Sequence, residues 1–288
     1  MKPGIALIGP GKLGCALTHL LSKAGYPVAA VIGRDRQRAS EACEFIGCAG
    51  RIAGSELSLA KKAEILLLAV PDDQIQILAQ QLHDQAIPTE ATTLVHFSGL
   101  QPAGIMRSGQ SATAVLSIHP LLPFADRQLA VEQLPGCPCA IEGDKEAEKL
   151  GLELVAAFDG RAFSIKSDKK ALYHAAACIA SNYFVTLVAA ATELLHDCGI
   201  EPKQATRLLL PLLQATLANI DQLGIEQGLT GPIVRGDAGT VTAHLKALEN
   251  SAPRLLPAYR LLAEQTLQLA KASGRLTAQQ AESISKSL

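Results

Sequence analysis

Residues 5–14 read Ile-Ala-Leu-Ile-Gly-Pro-Gly-Lys-Leu-Gly, and this stretch decides the fold. Four apolar residues stopped by a glycine are typical of a short strand that is buried on both faces. The three glycines have the spacing G-x-G-x-x-G, and residues 12–24 continue with a helical pattern that ends at Gly25. A strand, a glycine turn of this spacing and a helix, in that order, predict a site for the phosphates of a dinucleotide.

Each glycine of the turn is predicted to have a separate role. Gly9 allows the tight turn out of the strand, Gly11 lets the pyrophosphate approach the backbone, and Gly14 lets the helix pack close to the sheet. The free N–H groups at the start of the helix, around Lys12 and Leu13, would face the phosphates. We therefore expect these five residues to bind the cofactor.

The end of the second predicted strand indicates which cofactor binds. NAD-binding chains usually have an acidic residue there, whereas residues 31–34 read Val-Ile-Gly-Arg. The Arg34 guanidinium suits a 2′-phosphate, so we expect NADP(H) in preference to NAD(H). Asp35 leaves an alternative open, because its carboxylate could bind a ribose hydroxyl if the turn were shifted by one residue. Val70 and Pro71 end a later strand and are expected to border the nicotinamide ribose.

Strand and helix patterns alternate along the first part of the chain. Further strands are predicted at residues 28–32, 64–70, 93–97, 114–118, 139–142 and 162–165. The alternation predicts an α/β fold, a Rossmann-type doubly wound parallel sheet over residues 1–166 that binds the dinucleotide. Only helical patterns follow, so residues 167–288 are predicted to form an all-α domain for substrate binding and dimerisation. Residues 171–195 are expected to form a buried core helix.

Composition excludes several classes of protein. The formal net charge of the 288 residues is −1, so no basic surface for nucleic acid is expected. The seven cysteines have no zinc-site spacing, and we expect no metal site and no disulfide framework. No uncharged apolar run reaches membrane length, which predicts a cytoplasmic protein without a membrane partner.

Several motifs resemble one group of proteins. The glycine turn, Gly33-Arg34 and the Ala-Val-Pro-Asp at residues 69–72 resemble the superfamily of 6-phosphogluconate, β-hydroxyacid, ketopantoate and pyrroline-5-carboxylate dehydrogenases and reductases. Four later segments narrow the resemblance to Rossmann-like oxidoreductases whose helical C-terminal domain has no known function. These segments are residues 96–99, residues 117–121, residues 173–177 with 181–183, and residues 230–237.

The resemblance implies an NADP(H)-dependent oxidoreductase that forms a homodimer through its helical domain. Its substrate would be a small carbonyl or imine compound, with 2-oxo acids of the ketopantoate type as one class. β-Hydroxyacid dehydrogenases have a catalytic Lys followed by Asn one helical turn later, whereas here Lys170 is followed by His174. This departure keeps two alternatives open: a dinucleotide-binding sensor or scaffold without catalysis, and an F420-dependent oxidoreductase.

Four side chains are candidates for the catalytic chemistry. His174 is the first candidate for proton donor, with a structural histidine in the helix as the alternative. His119, at a strand end, is a second donor or a group that orients the substrate, unless it only braces the loop. Ser98 could present its hydroxyl to substrate, or form a simple turn with Gly99. Asn182 could hold a substrate carbonyl, or bridge helices.

Two more residues are candidates for substrate binding. Arg235 and Asp237 lie in a loop rich in Gly and Pro, and the resemblance to pyrroline-5-carboxylate reductases implies that such a loop grips the substrate carboxylate. Arg235 could do so through a bidentate pair. Alternatively, the two residues pair with each other and stiffen the loop.

Overall fold

The computed structural model describes residues 1–49, 52–109 and 112–288. The chain divides into two compact units, Met1–Ser181 and Asn182–Leu288. The first unit contains every strand of the described chain together with six helices. The second unit is helical. The domain boundary predicted at residue 166 precedes a helix that lies in the first unit.

The first unit is built on one sheet of eight strands. They are β1 (Ile5–Ile8), β2 (Val28–Ile32), β3 (Ala53–Gly54), β4 (Ile65–Leu68), β5 (Thr93–His96), β6 (Ala114–Pro120), β7 (Pro138–Gly143) and β8 (Arg161–Ser164). The strand order is β3-β2-β1-β4-β5-β6-β7-β8, which confirms the predicted doubly wound fold. The central strand β4 is buried on both faces, as its unbroken apolar sequence predicts.

One strand pair of the predicted parallel sheet is antiparallel. β6 and β7 pair antiparallel, with Pro120 opposite Cys139. An antiparallel neighbour needs only a connection that returns to the same edge of the sheet, whereas a parallel neighbour needs a crossover. Residues 121–137 therefore stay at the edge where β1, β4, β5 and β6 end.

Helices cover both faces of this sheet. They are α1 (Lys12–Lys23), α2 (Arg36–Ile46), α3 (Asp72–Asp84), α4 (Arg127–Gln133), α5 (Lys145–Ala156) and α6 (Lys170–Ala180). Alternate residues of β4 enter different cores: Leu67 packs in the core with α1, α2, α4 and α5, and Leu66 packs in the core with α3. The short helix α4 was not predicted from the sequence.

The second unit consists of five helices. They are α7 (Asn182–Asp197), α8 (Pro202–Gly228), α9 (Ala238–Ser251), α10 (Leu256–Ala272) and α11 (Ala278–Ser287). α9, α10 and α11 share a small core that contains Val241, Leu267 and Ile284. α8 is interrupted at Gly224, where the backbone has φ 77° and ψ 174°.

The prediction of a buried core helix over residues 171–195 is wrong. The segment forms two helices, α6 and α7, separated at Ser181, and α7 has no buried residue. Val185 of α7 is 66% exposed and Leu212 of α8 is 63% exposed. Ser167–Asp197 and Pro202–Gly228 are each long and apolar enough to cross a membrane, judged by length and composition alone.

Candidate functional site

The glycine turn between β1 and α1 has the geometry that its sequence predicts. Gly9 has φ +89°, and a Cβ there would lie 2.5 Å from the carbonyl oxygen of Ala69. A Cβ at Gly14 would lie 2.8 Å from the Cβ of Ala69, so α1 packs directly against the end of β4. A Cβ at Gly11 would meet nothing within 4 Å. Gly9 and Gly14 therefore pack closely against Ala69, while the space over Gly11 is open, as an approaching pyrophosphate would require.

A groove of about 910 Å³ lies at this edge of the sheet. Among the predicted cofactor residues, those that line it are Gly9, Gly11, Lys12, Arg34, Val70 and Pro71. Leu13 is partly buried against the hydrophobic core, and Gly14 is buried in α1. Asp126 and Arg127 at the start of α4 also line the groove, and sequence reasoning missed both.

The end of the groove beside β2 carries the charges that bear on the choice of cofactor. Arg34 and Arg38 line it, and no carboxylate among the described residues lies within ion-pair distance of either. Asp35 also lines the groove, but its carboxylate accepts a hydrogen bond from the backbone N–H of Gln37 at 2.8 Å and caps α2. Two arginine side chains are thus available to an anion at this end.

Ser98 lies two residues after the end of β5, and all the hydrogen-bonding capacity of its hydroxyl is used. The hydroxyl donates to Asp72 Oδ2 at 2.7 Å and accepts from the backbone N–H groups of Leu100 and Gln101. A serine hydroxyl has one proton and two lone pairs, so these three bonds use its capacity. Since Asp72 follows Pro71, the Ser98–Asp72 bond joins the end of the groove to the turn after β5.

Lys170, which the sequence comparison set against the catalytic lysine of β-hydroxyacid dehydrogenases but did not make a candidate, has a distinctive environment in the structure. Its side chain is 1% exposed, and Nζ donates to Ser98 O at 3.0 Å and to Ser117 Oγ at 2.6 Å. Burial lowers the pKa of Lys170 to about 8. The negative charges of Glu142 and Asp72 act in the opposite direction and raise it. A lysine at the start of α6 thereby joins the turn after β5 to the middle of β6.

His119 and His174 are brought together, as candidates for one site should be. Their ring centroids are 6.2 Å apart, and a Cβ at Gly99 would lie 2.9 Å from His119 Nε2 and 2.8 Å from His174 Cδ2. Gly99 therefore leaves the space that lets both rings approach the turn after β5. The groove lining includes neither histidine.

The imidazole of His119 is held in a defined position. Its Nδ1 lies 2.7 Å from the hydroxyl of Tyr173, and the two rings meet edge to face. Burial, followed by the positive charge of Lys170, lowers the pKa of His119 to about 4. The ring is consequently neutral at pH 7. His96, which is fully buried, has a pKa lowered to about 3 for the same two reasons, and its Nδ1 accepts from Ser98 N.

Two family models match the chain. A Rossmann-like domain matches residues 2–120, and a domain of unknown function, DUF2520, matches residues 137–266. The chain is a Rossmann-like protein that carries a DUF2520 domain. No curated protein has a sequence that matches it.

Solved structures similar to this Rossmann-like, DUF2520 chain cover nearly its whole length. The protein TM1727 of Thermotoga maritima is 26% identical, with a TM-score of 0.73, and the match covers 93% of this chain and 98% of that chain. A Bacteroides fragilis protein, provisionally named an NADP oxidoreductase, is 23% identical, with a TM-score of 0.73 and coverage of 94% and 98%. An imine reductase from Pseudomonas sp. is 17% identical, with a TM-score of 0.64 and coverage of 100% and 99%.

The DUF2520 match also spans the remaining site candidates, which lie in the second unit. Asn182 is exposed at the start of α7, and its carbonyl accepts from the hydroxyl of Thr186. Asp237 caps α9 by accepting from the N–H and the hydroxyl of Thr240, at 3.0 and 2.6 Å. Arg235 is exposed and forms no ion pair with a described carboxylate. Asp237 thus has a local structural role, while the guanidinium of Arg235 is available.

Proposed function

We propose that this protein is an NADP(H)-dependent oxidoreductase that reduces a small carbonyl or imine compound. The observation that carries the proposal is the groove at the glycine turn, which ends at Arg34 where NAD-binding chains usually have an acid. The availability of Arg34 and Arg38 supports NADP(H) over NAD(H), since neither forms an ion pair with a described carboxylate. When bound, NADPH would supply a hydride.

His119 of β6 and His174 of α6 would supply the other requirements of the reaction. A hydride accepted by a carbonyl or imine carbon leaves an oxygen or nitrogen that needs a proton. We assign His174 as the proton donor, because its ring is half-buried beside Gly99 and retains access to solvent. His119 is neutral at pH 7 and held by Tyr173, so it would donate a hydrogen bond to the same oxygen or nitrogen.

Ser98 and Lys170 would position this site rather than react. The Ser98 hydroxyl has no capacity left for substrate, and the Lys170 ammonium is buried between Ser98 and Ser117. Together they fix the backbone around Gly99, against which both imidazoles pack. Within the second unit, Asn182 and Arg235 stay candidates for substrate binding, and the exposed guanidinium of Arg235 suits a carboxylate such as that of a 2-oxo acid of the ketopantoate type.

Nucleotide binding tests the proposal first. Purified protein is titrated with NADPH and with NADH, and binding is followed by the fluorescence of the nicotinamide. We expect NADPH to bind at least tenfold more tightly, and Arg34→Asp to remove that preference, since a charge-assisted pair is worth about 1.5–3 kcal/mol. Arg36→Asp is the matched control, because Arg36 is exposed nearby but does not line the groove.

The other outcomes separate the alternative functions. Binding of neither nucleotide below millimolar concentration would contradict the proposal, and tight binding of F420 would then favour a deazaflavin-dependent enzyme. NADPH binding without oxidation by any 2-oxo acid or cyclic imine would favour a sensor or scaffold. If an oxidising substrate is found, His174→Ala should lose turnover and keep NADPH affinity.

We further propose that two copies of the chain pair through helices of the second unit. The supporting observation is the exposure of many large apolar side chains on α7 and α8, among them Tyr183, Leu187, Leu217 and Leu223. Soluble monomers rarely expose contiguous apolar patches larger than a few hundred Å². The pairing would cover this surface in a cytoplasmic homodimer.

A further inference from the structure

We propose that Arg127 binds the diphosphate of the dinucleotide and so forms a second anion-binding end of the groove, distinct from Arg34. The inference rests on the proposed function and names a side chain from a part of the fold outside the glycine turn. Arg127 is half-buried at the start of α4 and lines the groove.

The reversal of the sheet explains why α4 reaches the groove. β7 pairs antiparallel with β6, so the connection between them returns to the edge where β6 ends. α4 lies in this connection and packs against α1, the helix that begins at the glycine turn. In open α/β sheets, ligands bind at the carboxyl ends of the parallel strands. The antiparallel pair thus places a positively charged side chain at the edge where the ligand lies.

Arg127 is fixed on the glycine turn itself. Its Nη2 donates to the carbonyl oxygen of Pro10 at 3.1 Å, and Pro10 lies between Gly9 and Gly11. A guanidinium has five N–H donors in a planar fork, so one bond to Pro10 leaves donors for a ligand. The space over Gly11 is open, since a Cβ there would meet nothing within 4 Å.

No described carboxylate neutralises Arg127. Its neighbour Asp126 accepts from the backbone N–H groups of Gln128 and Leu129 at 2.7 and 3.2 Å and caps α4. None of the ion pairs among the described residues includes Arg127. The positive charge of Arg127 extends to the first turns of α1. Burial raises the pKa of Cys15 there, and the charge of Arg127 partly lowers it again. An unpaired guanidinium beside an open glycine turn suits a diphosphate.

Substitutions at the two ends of the groove should change the affinities of different ligands. NADPH and NADH share the diphosphate and differ in the 2′-phosphate. Arg127→Gln should therefore weaken both nucleotides by the same factor, about tenfold, because both lose a charge-assisted contact. Arg34→Asp should weaken NADPH alone. Adenosine 2′-monophosphate, which has no diphosphate, should compete equally well in wild type and in Arg127→Gln.

Arg161→Gln is the matched control for the loss of an arginine that bonds a backbone carbonyl. Arg161 donates to Gly136 O at 2.9 Å and does not line the groove, so its loss should leave both affinities unchanged. The salt dependence of NADPH affinity distinguishes a phosphate contact from a purely structural brace. A direct contact between charges weakens with ionic strength, so the slope of log Kd against log salt should be smaller in Arg127→Gln.

The outcomes for the inference and for the proposed function are separate. If wild type binds neither nucleotide, the proposed function fails. If wild type binds NADPH and Arg127→Gln binds it within twofold with an unchanged salt slope, only the role of Arg127 fails. Equal weakening of both nucleotides together with adenosine 2′-monophosphate would also overturn it, because that result indicates a disturbed groove. Thermal unfolding of each variant confirms that it is folded.

Discussion

At the scale of single residues, Gly99 controls how closely His119 and His174 approach. Gly99→Ala would place a methyl group within 3 Å of both rings, so at least one must move. We expect turnover to fall by at least tenfold while NADPH affinity is unchanged, because the groove lining includes neither ring. Gly104→Ala is the control, since a Cβ there would meet nothing within 4 Å. Equal activity of the two variants would contradict the assignment of this site.

Two histidines, the buried His96 and the partly buried His119, predict how stability depends on pH. The pKa values of His119 and His96 are lowered from 6.5 to about 4 and about 3, chiefly by burial. Below pH 6.5 the unfolded chain therefore binds protons that the folded chain does not, and stability falls as the pH falls towards these folded values. Each histidine contributes a loss on the order of 2 kcal/mol by pH 4.5.

Urea unfolding at pH 7 and at pH 4.5 measures this effect. His119→Asn should lose less stability between the two pH values than wild type, by about 2 kcal/mol, whatever its stability at pH 7. His196→Asn, at an exposed histidine of α7, should lose as much as wild type. If His119→Asn has the wild-type difference, the pKa of His119 is not lowered in the folded protein.

At the scale of elements, two glycines of the turn between β1 and α1 have different roles: Gly9 is needed for stability and Gly11 for cofactor binding. Gly9→Ala would force a positive φ and a contact of 2.5 Å, so we expect it to destabilise the protein by about 2 kcal/mol or more. Gly11→Ala has room for its methyl group and should unfold like wild type. That methyl group would occupy the space for the diphosphate, so Gly11→Ala should still lose NADPH affinity. Calorimetry and fluorescence titration measure the two effects separately.

The regular elements of the first unit could be predicted because each depends on local sequence. β1 and β4 are unbroken apolar runs, and α1 begins at a glycine turn with known spacing. The direction of β7 and the position of α4 could not be predicted in this way. Both depend on the edge of the sheet to which the connection returns. The local sequence of residues 121–137 contains no pattern that indicates this edge.

The candidate site shows the same division. The cofactor turn follows from sequence because its residues are contiguous, and several of its members do line the groove. Lys170 was named only in the comparison with β-hydroxyacid dehydrogenases, and its burial was missed because its partners, Ser98 and Ser117, are 72 and 53 residues away in the chain. A lysine next to Lys169 has no feature in the sequence that distinguishes a buried ammonium from an exposed one. Arg127 was missed for the same reason, since its partner Pro10 is 117 residues away.

At the scale of the whole molecule, the exposed helices of the second unit predict the oligomeric state. The side chains of Val185 in α7 and Leu212 in α8 are more than 60% exposed, although both helices are rich in apolar residues. We expect a homodimer that buries these side chains, since each fully buried aliphatic side chain contributes about 1.5–3 kcal/mol. The double variant Val185→Glu and Leu212→Glu should be monomeric at concentrations where wild type is dimeric, because association would bury unpaired carboxylates.

Light scattering coupled to size-exclusion chromatography measures this difference, with Leu152→Glu as the control. Leu152 is a leucine of α5 that is 49% exposed in the first unit, and its substitution should leave the dimer intact. If wild type is monomeric and needs no detergent, the pairing is wrong. If it stays in solution only with detergent, or binds lipid vesicles through residues that the double variant changes, a bilayer covers these helices instead. A dimer that the double variant abolishes, with NADPH affinity retained, would separate assembly from cofactor binding, since the groove is built entirely from first-unit residues.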